Sequence, residues 1–135
     1  MTVVEKVINE CVERLNVEME FLHIISSEIK KVRTIAKTKS KEIATEAINL
    51  SGRAIIFHTA IQAVVGQSIL IDGKLMEILK KGIISAYELD SFVDNTEKLI
   101  KKVKDLQKYG EILAQEAKML YKKHLETIKL PKKTT

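Results

Sequence analysis

Between Arg53 and Asp72 the chain runs for eighteen residues, AIIFHTAIQAVVGQSILI, without a formal charge. A helix that is apolar around its whole circumference must be covered on every side. This stretch is therefore expected to be the central helix of a bundle, sheathed by the rest of the chain. A membrane span is the unfavoured alternative. Eighteen residues at ~1.5 Å each reach only ~27 Å, the short limit for a bilayer's hydrocarbon layer. The stretch also holds His58, Thr59, Gln62, Gln67 and Ser68, which lipid disfavours.

The flanking sequence reads as the sheath. Thr2 to Glu5 is a capping box, and apolar residues then recur at heptad spacing: Val4, Ile8, Cys11, Leu15, Leu22, Ile25, Ile29, Val32 and Ala36, broken by Glu18. A helix to about residue 37 is expected, with a corner at 37–41 where Ser40 can cap the next helix. The central helix is placed at 41–70, ended by Asp72-Gly73, a strong turn signal. A short helix over 74–81 follows, stopped by Gly82. Ser85 to Glu88 is a second capping box, and no breaker intervenes before Pro131, so the last helix is expected to run from 86 to about 128. The fold class is all-α: an elongated, mostly antiparallel helical bundle of three long helices plus one short helix. It is expected as a single domain over 1–130, with a basic tail at 131–135.

Composition narrows the function. Aromatic residues make up 4% of the chain and Trp is absent, which argues against base-stacking platforms for single-stranded nucleic acid. Only Arg14, Arg33 and Arg53 are arginines among 23 basic residues, so bidentate base readout is not favoured. The Lys, Ile and Glu bias is thermophile-like. One cysteine, Cys11, rules out an internal disulfide framework. The N-terminus lacks a basic segment before an apolar one, so no signal peptide is read there, and a cytoplasmic or particle-bound location is expected.

In an antiparallel bundle, the acidic starts of the first and last helices would share one end and their basic ends the other. Lys30, Lys31, Arg33, Lys37, Lys39, Lys41, Lys118, Lys122 and Lys123 are the candidates for contact with nucleic acid or another polyanion. Leu99, Leu106, Leu113 and Leu120 recur at intervals of seven, beside the small residue Gly110. The last helix is expected to outlast its neighbours, so these five residues are the candidate interface of a coiled-coil homo-oligomer.

Chemical motifs are sparse. Glu20 and His23 have the Glu-x-x-His spacing of metal-binding bundles. Glu18 or Glu20, with His23 and His58, is a candidate mononuclear site. No cofactor is implied, since no phosphate-cradling loop, zinc ribbon or nucleophile elbow is present. Arg53 and His58 match the Arg-x4-His pattern and resemble the motif of HEPN domains, small helical bundles with a metal-independent ribonuclease activity. That resemblance implies phosphate binding by Arg53 and proton transfer by His58. The family's polar residue after the Arg is Ala54 here. The segment from Leu75 to Phe92, with Leu79, Gly82, Ile83, Ile84, Ser85 and Leu89, resembles the helix–Gly–helix hairpin called SHOCT, which implies a docking or oligomerisation element. The leading expectation is a non-enzymatic structural or adaptor protein acting by helix-mediated self-assembly. The alternatives are an HEPN-like ribonuclease and a non-catalytic nucleic-acid-binding subunit.

Overall fold

A computed structural model describes residues 2–32, 35, 38 and 40–129. It is all-helical, with helices packed against one another and no strand among the described residues: α1 (Val3–Lys30), α2 (Lys41–Lys81) and α3 (Ala86–Lys129). Two compact units are built from these helices: Met1–Leu22 with Ala60–Leu106, and His23–Thr59 with Gln107–Thr135.

The capping signals hold. The Thr2 hydroxyl accepts from the Glu5 amide at 3.2 Å and the Glu5 carboxylate accepts from the Thr2 amide at 3.4 Å. Ser40 accepts from the Ile43 amide, and Ser85 from the Glu88 amide. Gly82 closes α2 with a positive φ of 71°, its amide bonded to the Ile78 carbonyl at 3.1 Å. Only glycine reaches that conformation without a steric cost from Cβ.

The helix count differs from the expected one. Asp72-Gly73 does not turn: α2 is continuous for 41 residues, absorbing the anticipated short helix. A mid-helix glycine costs up to ~1 kcal/mol relative to Ala. Continuing the helix keeps Ile71, Leu75 and Ile78 in line to pack with Val4, Ile8, Val12, Leu89 and Phe92. Each such side chain gains about 1.5–3 kcal/mol when fully buried, so packing outweighs the glycine. At 44 residues α3 is the longest of the three helices, well beyond the 28 of α1 but only slightly beyond the 41 of α2. Helix α1 ends at Lys30 rather than near 37, tightening into a 3₁₀ turn at Lys31 and Val32. Ile29, Val32 and Ile35 are all buried. Ala36 of the expected seam lies outside the described residues, as does the tail at 131–135.

The main departure concerns the uncharged stretch. It is helical throughout, but only one face is covered. Ala54, Phe57, Ile61 and Val64 are buried, while Ile55, Ile56, Ile69 and Leu70 stand 60–74% exposed. Two neighbouring helices cannot cover a third on every side, so part of its apolar surface stays exposed. Among the described residues α2 alone is long and apolar enough to cross a membrane, and 22% of its most apolar 18-residue window is buried.

Candidate functional site

Two apolar faces run along α2. The inner face reads Ala47, Leu50, Ala54, Phe57, Ile61, Val64 and Ile78, every one of them buried. The outer face reads Ile48, Ile55, Ile56, Ile69, Leu70 and Met76, every one at least 60% exposed. At ~100° per residue, positions 48 and 55 lie roughly 160° from 50 and 57, so the two faces are opposed. Single exposed apolar residues are ordinary, but six large ones on one helix make this a candidate interaction surface.

In the second unit, Arg53 and His58 turn to different neighbours. Arg53 donates to Asn49 Oδ1 at 3.1 Å and to Glu116 Oε2 on α3 at 2.7 Å. His58 Nδ1 lies 3.0 Å from Ser26 Oγ on α1. Five residues on a helix separate side chains by about 140°. The pair lines separate hollows, Arg53 with Glu116 and Lys123, His58 with Ile29 and Val32.

The metal candidates are likewise not assembled. Glu20 and His23 are exposed, and Glu18 lines a surface hollow with Glu10, Glu13 and Arg14. Among the described residues no three His, Cys, Asp or Glu side chains come close enough to share an ion. Cys11 is buried, and that burial, reinforced by the charge of Glu97, pushes its thiol above the ordinary range. Nearby, Arg14 and Glu97 form a two-pronged pair at 2.8 and 2.9 Å, and the hydrogen bond from Arg14 holds the Glu97 carboxyl below its usual value. Both partners are about half exposed, so the pair orients more than it stabilises.

Charge differs between the units. The first holds nine basic and twelve acidic residues, the second fourteen basic and six acidic. Of the polyanion candidates, Lys30, Lys31, Lys41, Lys118, Lys122 and Lys123 are exposed in the second unit. Lys31 pairs with Glu28 at 3.4 Å and Lys123 with Glu46 at 3.7 Å. Arg33, Lys37 and Lys39 lie outside the described residues.

The α3 leucines lie inside. Leu99, Leu113 and Leu120 are buried in the chain's own core, and Leu106 is half-buried. Gly110 does admit a close neighbour, namely Phe57 and Ile25 of the same chain. The exposed apolar surface sits instead on α2, where the absence of charge concealed which side faced out. No protein-family profile, curated protein or solved structure matches the chain.

Proposed function

We propose that this protein is a non-enzymatic structural or adaptor subunit that works by helix-mediated self-assembly. The observation that carries this reading is the outer face of α2, six large apolar side chains exposed at 60% or more beside a face already packed. Leaving such a stripe in water forgoes ~25 cal/mol for each Å² that a partner would cover. The bundle is read as mostly antiparallel. In support, seven residues forward on α2, from Glu46 to Arg53, correspond to seven back on α3, from Lys123 to Glu116. Size-exclusion chromatography with light scattering is expected to show a mass that rises with concentration above the 15.3 kDa of one chain. A strict monomer at all concentrations would remove the proposal.

A second role is favoured by the charge of the second unit, fourteen basic residues against six acidic. That unit would hold a polyanion by lysine contacts, without base readout. Four phosphate contacts would make affinity for duplex DNA fall on the order of 100-fold between ~50 and ~200 mM salt. Binding that ignores salt would exclude this role.

A further inference from the structure

The outer face of α2 carries more order than apolar exposure alone. Ile48, Ile55, Gln62, Ile69 and Met76 are spaced by seven, and all are exposed. Interleaved with them, also spaced by seven, are Thr45, Gly52, Thr59, Gly66 and Gly73, again all exposed. The combined spacing alternates between three and four, the period of a helix seam that meets another helix lengthwise. One set is large except for Gln62, and the other is small throughout. A Cβ added at Gly52, Gly66 or Gly73 would meet nothing within 4 Å, so the chain's own packing does not require these glycines.

We propose that this face is covered by α2 of a second copy, running antiparallel, with each large residue of one copy seated over a small residue of the other. The proposal rests on the self-assembly reading above. Size selects the direction. If residue x lies opposite position 121 − x, Ile48 meets Gly73, Ile55 meets Gly66, Gln62 meets Thr59 and Ile69 meets Gly52. A parallel pair in register would stack Ile on Ile and Gly on Gly, alternating crowded layers with empty ones, whereas large over small fills every layer evenly. Charge agrees. Positions 41–46 hold one lysine and two acids, and positions 72–81 hold three lysines and two acids, so antiparallel pairing joins ends of opposite net sign. Opposed helix dipoles add to this.

The extent suffices. From Thr45 to Met76 the seam is ~47 Å long, and at a helix width of ~10 Å it covers on the order of 500 Å² per copy. The total of roughly 1,000 Å² is what a specific interface must reach. Lipid explains the seam less well, since a bilayer does not require alternating sizes or the central Thr59 and Gln62.

The test uses the full chain. Gly66→Leu leaves the monomer's packing untouched and improves helix propensity, yet it blocks the close approach. It is expected to weaken dimerisation at least tenfold with helicity unchanged by circular dichroism. Ile55→Glu with Ile69→Glu is expected to do the same. A spin label at Lys74→Cys, with Cys11→Ala as background, should give an inter-copy distance of ~40 Å, twenty-seven residues of helix, by pulsed electron resonance. A distance under ~20 Å would mean parallel pairing and overturn the proposal. An oligomer that persists in both seam variants would leave self-assembly standing but sink this interface. A wild-type monomer that co-floats with phosphatidylcholine–phosphatidylglycerol vesicles would overturn both readings, because lipid would then be the cover.

Discussion

Phe57→Ala is expected to destabilise the chain by about 3–5 kcal/mol, a large share of the ~5–15 kcal/mol that holds a typical domain folded. Phe57 is 1% exposed. Its ring centroid lies 5.8 Å from that of His58 and 6.0 Å from that of Tyr109, in tilted arrangements that add ~0.5–1.5 kcal/mol to area burial. The ring also fills the space above Gly110, so truncation leaves a hollow whose floor has no side chain to collapse inward. The neighbouring residue supplies the control. Ile56 is 66% exposed, and Ile56→Ala should stay within ~0.5 kcal/mol of wild type. Urea denaturation at concentrations where the chain is monomeric checks both. Equal losses at 56 and 57 would mean that the rotation of α2 described above is wrong.

That contrast between adjacent residues shows what the sequence made legible. Boundaries announced by chemistry were readable: Thr2, Ser40, Ser85 and Gly82 each satisfy or release a specific backbone group. The apolar seam of α1 was readable because charged residues mark its outer side. On α2 no charge marks a side between 54 and 71, so composition implied complete burial and geometry allowed only half of it. Asp72-Gly73 misled for a related reason. Its local turn propensity, of order 1 kcal/mol, is outweighed by the packing of Ile71, Leu75 and Ile78, which the dipeptide itself does not reveal.

The candidate sites divide in the same way. Arg53 and His58 are close in sequence, but helical rotation points one toward Glu116 and the other toward Ser26. Spacing by seven on α3 correctly marked a packing seam, yet periodicity alone does not say whether the partner is the same chain or another. The spacing of Gly52, Thr59, Gly66 and Gly73 on α2 is readable in the sequence, and the exposure of each residue is needed to show that this face points outward.

Gly110→Val should destabilise the chain by about 1–3 kcal/mol from overpacking, even though it removes a glycine from the middle of a helix. A Cβ at 110 would stand 2.5 Å from Phe57 Cζ and 2.8 Å from Ile25 Cγ2, closer than carbon atoms approach one another. Phe57 cannot swing aside, because it is enclosed, so the helices must part. The helix propensity regained on replacing glycine, at most ~1 kcal/mol, is too small to offset this. At Gly66 the balance reverses. No neighbour lies within 4 Å of the new Cβ, and Gly66→Ala should stabilise the monomer by up to ~1 kcal/mol. The two sites carry the same chemistry and should respond with opposite sign. Coupling tests the cause directly. In Phe57→Ala with Gly110→Ala, the new methyl enters space that the ring has vacated, so the pair should cost less than the two single losses added together. Strict additivity in urea denaturation would show that Phe57 and Gly110 do not touch.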